Sequence, residues 1–594
     1  MNTKQRGSQV GMMRGMALLL CSCVFSFAQP HNAPLLALEE LQPGMKGEVW
    51  TVFRGSAPEP FAVQVTGVLR NALGPGKSMI LCELTDPRVQ GMGAVAGMSG
   101  SPLYIDGKLA GVLAYQIQRF ETVRHAGFTP IKDMLEVSTL PAPRDALNPT
   151  PIPIKGGQSA RSTAPSDIQP LTPAFTAGGL SPLVAGLVAP QFDSLGLSFN
   201  ALGGSLDSGA QPSALGAPPA LQPGGVVAVA LAVGDITIAG TGTVSHVDGS
   251  HVLAFGHPML SLGATELPMA AAEVVTILPS QLNSIKVSNT GPIIGAFSQD
   301  RLSGIYGELG REPAMVPVEI SFPTRQNRKS LNFRVVRHEQ VLPIIAASGL
   351  AQAVNGSNES GFTRGFRVTV NVEFPGREPV ELSQIYPGPQ GLNQGLTEFV
   401  GNLSLWLFNP YERVFPDRIR FAVEDTPDSP QGIVEQFQVS RTSALPGEHV
   451  DLSLGWRGFQ RASRTEALGL DIPREWAGKD LEVIVTNGPA LDELTGRSRT
   501  FVVAQLRGFD EYISALRQFR RTDGLYVAVV EKTRLLTDQR DSTAEMPGSL
   551  ERIARAADEA RFQRRDVLAP LWEQHILPGT LFNIQLRKPL NIAD

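Results

Sequence analysis

A serine lies in a glycine-rich loop directly before a strand-like hairpin. Residues 97–102 read GMSGSP, and residues 103–115 follow as two apolar runs around an Asp-Gly turn. Glycine at positions 97 and 100 lets the backbone bend freely around Ser99. The N–H groups of Gly97 and Ser99 can then point to one oxygen and form an oxyanion hole. This pattern predicts nucleophilic attack by Ser99 on a carbonyl carbon.

A nucleophilic serine needs a base that takes its proton. His257 is the preferred candidate, because it follows Gly256 and precedes Pro258 at the end of an apolar run. The glycine permits a sharp bend and the proline restricts the backbone of the histidine, so the imidazole is held in place. A purely structural histidine at a strand end is the alternative, and His125 is the second candidate for the base.

The base needs an acid that orients it and stabilises its charged form. Asp86, which lies 13 residues before Ser99, is the candidate, although an Asp-Pro pair is also typical of a turn. Asp300 is a second acid with no assigned role. Ser101 is the alternative nucleophile, less favoured because proline follows it directly.

The histidines at 246, 251 and 257 raise a different hypothesis, a metal-dependent hydrolase. Their spacings of five and six residues match no common ligand pattern, so we predict no metal and no cofactor.

Composition indicates which elements position these residues. The 594 residues include 60 glycines and 46 prolines, with many short Val, Ile and Thr runs, which favours a mostly β chain of several domains. The net charge of −5, with both signs mixed, argues against a nucleic-acid partner.

Changes in residue composition and in the hydrophobic pattern divide the chain into five segments. We expect a signal peptide at 1–28, a unit with Asp86 and Ser99 at 33–140, a proline-rich linker with a small insertion at 141–223, a unit with His257 at 224–423, and a C-terminal β-sandwich-like and α+β region at 432–594. Within the fourth segment, residues 267–277 are predicted to form a short helix.

The N-terminal segment has a positive region, an apolar run and small residues before Ala28, which is typical of a cleaved secretory signal. A lipoprotein signal that retains Cys23 is the alternative. No later stretch is long and apolar enough to span a bilayer. The expected product is exported to the periplasm or the cell exterior, with association to the cell envelope as the alternative. Cleavage leaves Cys82 alone, so no intrachain disulfide is expected.

Taken together, these segments resemble the stage IV sporulation protein B (SpoIVB) family of serine peptidases. The family's nucleophile motif is GMSGSP, its histidine segment is similar to residues 254–257, and its aspartate segment is similar to Thr85-Asp86. A segment of the form FSxDR recurs at 297–301. The resemblance implies Ser99 as nucleophile, His257 as base and Asp86 as acid.

The order of these segments differs from that of the family, because the serine unit precedes the histidine unit. The expected fold is therefore a chymotrypsin-like double β-barrel in two permuted halves, followed by the C-terminal region outside the resemblance. The predicted function is an exported serine endopeptidase that cleaves protein or peptide substrates. The alternative is a non-catalytic secreted binding or scaffold protein that retains the fold.

Overall fold

A computed structural model describes most of the chain. The described residues are 33–117, 123–141, 168–171, 174–195, 197–200, 202–205, 220–280, 284–324, 327–355, 365–409, 411–426, 428–497, 508–537, 542–544, 549, 552–553 and 563–594. The predicted signal peptide and much of the predicted linker lie outside them.

The described chain is mostly β, with 52% of residues in strands and 18% in helices. The strands are β1 (Lys46–Thr51), β2 (Glu59–Gly74), β3 (Lys77–Leu84), β4 (Pro102–Ile105), β5 (Lys108–Ile117), β6 (His125–Pro130), β7 (Ile168–Pro170), β8 (Ala174–Gly178), β9 (Ser198–Asn200), β10 (Gly204–Ser205), β11 (Val226–Gly234), β12 (Thr237–Asp248), β13 (His251–Ala254), β14 (Gly263–Leu278), β15 (Ile285–Arg301), β16 (Gly304–Leu309), β17 (Met315–Pro323), β18 (Arg328–Val336), β19 (Gly365–Glu373), β20 (Val380–Tyr386), β21 (Arg418–Thr426), β22 (Gly432–Val439), β23 (Ser443–Ala444), β24 (His449–Gly458), β25 (Ser463–Asp471), β26 (Asp480–Thr486), β27 (Leu525–Thr537), β28 (Ser542–Ala544), β29 (Gln563–Ile576) and β30 (Gln585–Ile592).

The α-helices are few and short by comparison. They are α1 (Pro87–Met92), α2 (Ile131–Thr139), α3 (Pro182–Ser194), α4 (Val341–Asn355), α5 (Gly388–Leu407), α6 (Gly488–Leu494) and α7 (Phe509–Arg517). None of these helices combines the length and the apolar character of a transmembrane span, as far as the described residues extend.

The first six strands close into a barrel in the order β1-β2-β3-β6-β5-β4, with β4 returning to β1. Side chains alternate between the interior and the surface, as the period of two along a strand requires. Val49, Ile80, Leu103 and Phe128 are among the buried residues that fill this barrel. Cys82 lies among them as a free thiol, and burial raises its pKa to about 12.

A second barrel closes in the order β11-β14-β15-β16-β13-β12, with β12 returning to β11. The expected double barrel is thus confirmed. The predicted helix at 267–277 is wrong, because these residues lie in β14 and pair along β15. Val274, Val275 and Thr276 are β-branched, which favours a strand, and the hydrogen bonds of the long hairpin outweigh the helix propensity of the alanines at 270–272.

Further sheet surrounds the second barrel. From β11 it continues through β18, β17, β21, β19 and β20, and from β12 through β8 and β9. Helices α4 and α5 pack against each other, and α4 packs on β17 and β18. In the C-terminal region, a three-stranded sheet (β22, β24, β25) and a second sheet built on β26, β27 and β30 share one apolar core.

The two barrels contact each other through segments that flank the predicted site. Isolated β-bridges join Gly55 to Val274 and Ala96 to Ile285, so the β14–β15 hairpin reaches the first barrel. On the other side, Thr129 Oγ1 donates to the Gly256 carbonyl at 2.6 Å. The loops that contain Ser99 and His257 therefore lie at the contact between the barrels.

Gly100 lies at this contact and packs closely against the second barrel, which supplies a test. Its φ is +94°, and a Cβ at this position would lie 2.5 Å from the Phe255 backbone nitrogen and would also overlap the Thr243 carbonyl. We expect Gly100→Ala to lower the free energy of unfolding by about 3 kcal/mol or more, because backbone atoms have no room to move aside. Denaturant-induced unfolding followed by circular dichroism measures this change.

Gly107→Ala is the matched control, since Gly107 also has a positive φ (+75°) but faces open space. It should cost only about 1–2 kcal/mol, the penalty of the left-handed backbone for alanine. Equal losses in the two variants would show that the close contact at Gly100 does not contribute.

Candidate active site

The serine loop connects α1 to β4 and presents two free N–H groups. Gly97 and Gly100 both have φ above +90°, a region that favours glycine. The intervening Met98 N–H donates to the Val95 carbonyl at 2.9 Å, and the Gly100 N–H donates to the Leu113 carbonyl at 2.7 Å. Among the described residues, the N–H groups of Gly97 and Ser99 have no acceptor. These are the two donors that the sequence predicts for an oxyanion hole.

Strand β12 holds the carbonyl groups of the same loop. Thr243 N–H donates to the Ser99 carbonyl at 2.8 Å, and Thr243 Oγ1 donates to the Gly97 carbonyl at 3.2 Å. Ser245 Oγ donates to the Gly100 carbonyl at 2.9 Å. No sequence motif pointed to these residues. The signal was available in the alternation of hydroxyl residues at 241, 243 and 245, which places them on one face of a strand.

His257 follows β13 in a strained turn. Phe255 has a φ of +69°, which is unusual for a residue with a side chain, and Gly256 has a φ of +68°. A Cβ on Gly256 would lie 2.5 Å from Val112 Cγ2, so only glycine fits against the first barrel here. The turn places the imidazole in a fully buried position, with 0% of His257 exposed.

One nitrogen of His257 is occupied and the other is free. Nδ1 lies 2.8 Å from the Pro258 carbonyl oxygen, which can only accept, so Nδ1 carries the proton. Nε2 then has a lone pair, and it is buried without a hydrogen-bond partner. Burial lowers the pKa of His257 to about 4, although the bond to Pro258 acts in the opposite direction. The imidazole is therefore neutral at pH 7 and able to accept a proton at Nε2.

Ser99 Oγ is the counterpart of this free nitrogen. Ser99 is 1% exposed and its hydroxyl is also buried without a partner. The two loops contact each other, because Gly100 packs against the backbone of Phe255. No hydrogen bond joins Ser99 Oγ to His257 Nε2 in this conformation. Both atoms are closed off from solvent in this conformation.

Asp86 lies elsewhere than the sequence analysis expects. Its carboxylate caps α1 by accepting from the Arg88 N–H at 2.9 Å, and it pairs with the Arg88 guanidinium at 3.0 Å. The hydrogen bond from the Arg88 side chain lowers the pKa of Asp86 below its usual value. This structure therefore does not bring Asp86 into hydrogen-bond contact with His257, because the local turn and Arg88 engage both carboxylate oxygens.

Asp300 is the buried acid that acts on the histidine loop. It lies in β15, is 1% exposed, and accepts N–H groups of Met259, Leu260 and Leu262 at 2.7, 2.8 and 3.1 Å. Burial raises its pKa, and these backbone hydrogen bonds partly offset the shift. Asp300 thus fixes the loop that begins with His257 and Pro258, a role that the FSQDR segment did not reveal.

The other candidates from the sequence have different surroundings. Ser101 Oγ donates to the Met98 carbonyl at 2.6 Å, so its hydroxyl stabilises the serine loop. His125 pairs across strands with Glu83, and a nitrogen of its ring lies 3.1 Å from the Val123 carbonyl. His251 is exposed and stacks on Tyr306. No three His, Cys, Asp or Glu side chains gather as metal ligands in the part of the chain described.

The serine loop with its two free N–H groups and the loop of the neutral histidine contact each other between the two β-barrels. A nucleophilic serine and a histidine base are the residue types that a serine hydrolase uses. The family comparison agrees with this class. The sequence model of the SpoIVB peptidase S55 family matches residues 24–122, the segment that includes Asp86 and the serine loop. This match confirms the resemblance to SpoIVB peptidases over that segment and supports a serine peptidase. His257 and Asp300 lie outside it. Neither a curated protein nor a solved structure matches the chain.

The two acids can be distinguished by substitution. Asp300→Asn should lower kcat/KM about 10–100-fold, because an amide cannot accept all of the N–H groups that hold the histidine loop. Asp86→Asn should change kcat/KM less than about threefold, because asparagine caps a helix as well as aspartate does. Peptide hydrolysis by the two purified variants, with folding checked by circular dichroism, gives both values. A loss of about 10⁴-fold in Asp86→Asn would instead establish Asp86 as the acid of a triad.

Proposed function

We propose that this chain is an exported serine endopeptidase that uses Ser99 and His257. The observation that carries the proposal is the pair of buried, unpartnered atoms, Ser99 Oγ and His257 Nε2, on two contacting loops beside the free N–H groups of Gly97 and Ser99. Buried polar atoms without partners are costly, so their presence together indicates a site built for a substrate.

The proposed reaction begins when Ser99 Oγ bonds to the scissile carbonyl carbon and its proton passes to His257 Nε2. The carbonyl oxygen becomes negative and accepts the N–H groups of Gly97 and Ser99. The carbon–nitrogen bond then breaks, and His257 returns the proton to the leaving amine. Water, deprotonated by His257, hydrolyses the acyl-enzyme and frees Ser99.

We further propose that a backbone carbonyl orients the base in this chain. The Pro258 carbonyl accepts the Nδ1 proton, and Asp300 holds the following loop through three N–H groups. Together they fix the tautomer and the ring orientation of His257, which is one part of what an aspartate does in a triad. The role predicted for Asp86 is tested by the comparison of the two acids above.

The proposal includes a permuted chain order, with the serine barrel first and the histidine barrel second. A catalytic group is defined by its geometry and not by its order in the chain. The hydrogen bond from Thr129 Oγ1 to the Gly256 carbonyl supports it, because it holds the histidine loop against the first barrel. Export is proposed from the N-terminal segment, and polypeptide substrates from the family resemblance.

Substitution of the nucleophile tests the proposal directly. We expect Ser99→Ala to abolish cleavage of fluorescein-labelled casein, with a loss of about 10³-fold or more, because no other hydroxyl can form the acyl-enzyme. A fluorophosphonate probe should label Ser99 by forming an oxygen–phosphorus bond as fluoride leaves, and mass spectrometry locates the label.

Ser101→Ala is the matched control, because Ser101 lies two residues away in the same loop and its hydroxyl bonds within it. It should keep labelling at Ser99, with only a modest loss of stability. If casein cleavage by the purified protein is unchanged in Ser99→Ala, or if neither cleavage nor labelling is detected, the non-catalytic scaffold is the better description.

The pH dependence of kcat/KM gives a second test. A general base acts only when it is neutral, and the pKa of His257 lies near 4 in the free protein. We expect kcat/KM to stay constant from pH 6.5 down to about 5 and to fall below it, measured with a peptide substrate at constant ionic strength. An acid limb centred near 6.5, the ordinary value for histidine, would mean that His257 is solvated in the reacting state.

A further inference from the structure

A buried lysine that the proposed reaction does not use lies behind the serine loop. Lys286 is 1% exposed and belongs to β15 of the second barrel. Its ammonium donates to Thr51 Oγ1 of the first barrel at 2.8 Å. The side chain therefore crosses the contact between the barrels with a charged group at its end.

The aliphatic part of the Lys286 side chain packs against Gly97. The Lys286 N–H donates to the Ala96 carbonyl at 2.9 Å, next to the bridge between Ala96 and Ile285. A Cβ on Gly97 would lie 3.0 Å from Lys286 Cβ and 3.2 Å from its Cδ. Because Nζ is two bonds beyond Cδ, the ammonium lies within about 6 Å of that point. Gly97 supplies one of the two N–H groups proposed for the oxyanion hole.

No carboxylate neutralises this lysine in the part of the chain described. Residues 93–101 carry no ionisable side chain. Strand β1 carries Lys46 and Glu48 and strand β14 carries Glu266 and Glu273, but none of them forms an ion pair with Lys286. Burial alone lowers its pKa to about 7. A buried cation without a counter-ion destabilises a fold, and such groups are concentrated at functional sites.

We propose that Lys286 is a positioning residue for the oxyanion hole. Its aliphatic chain packs against Gly97 and fixes the position of the Gly97 backbone, and its positive charge lies behind the oxygen that becomes negative. This inference rests on the proposed function. Lys286 lies outside the segment that the family model matches. In the proposed reaction, the negative oxygen provides the counter-charge that Lys286 lacks in the resting state.

The proposal has a consequence for pH that a purely structural lysine would not have. Protonated Lys286 favours the negative oxygen, and neutral Lys286 does not. The value of kcat should therefore fall as pH rises above about 7, while KM changes little, because the charge acts on the transition state more than on the neutral bound substrate. Together with the neutral histidine, this predicts a plateau of activity between about pH 5 and 7.

The experiment compares Lys286→Met and Lys286→Arg with the wild-type chain, using labelled casein and the fluorophosphonate probe. We expect Lys286→Met to lower kcat and the labelling rate about 10–100-fold with KM within about threefold, and to lose the alkaline limb. Lys286→Arg should keep the charge at every pH, since arginine does not deprotonate, and should retain activity above pH 8. Lys46→Met, an exposed charge change on β1, is the matched control and should behave like the wild type.

Thermal unfolding separates this role from simple damage to the fold. The buried ammonium destabilises the wild type most below pH 7, so Lys286→Met should have the higher Tm at pH 6, with the difference shrinking towards pH 10. A variant that is more stable but slower supports the proposal. If Lys286→Met does not fold, Lys286→Arg tests the proposal instead. A loss of Lys286→Arg activity above pH 7 equal to that of the wild type would overturn the role of Lys286.

Two failures are distinguishable in this design. If wild-type activity depends on Ser99 but Lys286→Met has the same kcat and pH profile, the inference about Lys286 is wrong and the proposed function stands. If the wild type has no activity that depends on Ser99, the proposed function fails, and the role of Lys286 in it fails as well.

Discussion

The rest of the structure depends on the hydrogen bonds that the backbone carbonyl groups of the serine loop accept from β12. Buried backbone groups nearly always have hydrogen-bond partners, so a loop that leaves donors free must be held by its other groups. Here β12 supplies the donors for the carbonyls of Gly97, Ser99 and Gly100. With these acceptors occupied, the loop cannot rotate to satisfy its own N–H groups at 97 and 99. The two N–H groups proposed for the oxyanion hole are thus positioned by the second barrel, although they belong to the first.

The histidine loop is also held by the opposite barrel. It belongs to the second barrel, but Thr129 of the first barrel holds the Gly256 carbonyl, and Val112 leaves no room for a side chain at Gly256. The positive φ of Phe255 is a strained conformation that costs of order 1–3 kcal/mol, and it persists because both sides fix it. Each barrel holds the loop of the other that contains a proposed catalytic residue, so the proposed site needs both halves.

Local sequence signals predicted part of this arrangement. The glycines around Ser99 and the Gly-His-Pro segment at 257 could be read from neighbouring residues, because backbone freedom is a local property. The alternation at 241–245 indicates a strand face, but not that Thr243 contacts the serine loop. Asp300 and Lys286 could not be read, since Asp300 acts on residues about 40 positions earlier and Lys286 acts on the other barrel. Asp86 shows the opposite case: the helix cap seen in the structure agrees with its local turn chemistry, while its catalytic role stays a prediction of the family resemblance. The helix expected at 267–277 failed because strand pairing is non-local.

Three buried ionisable groups, His257, Lys286 and Asp300, make the stability of the fold depend on pH. Burial favours the neutral form of each group, so it lowers the pKa of His257 and Lys286 and raises the pKa of Asp300. Between pH 4 and 6.5 the unfolded histidine binds more protons than the folded one, so its contribution makes stability rise with pH. Asp300 acts in the opposite sense, because its folded form holds a proton above pH 3.8, and stability falls as pH rises through that range. His257 and Asp300 therefore act on stability in opposite directions as pH rises in mild acid. Above about pH 7, Lys286 makes stability rise with pH, because its unfolded form binds more protons there than its folded form.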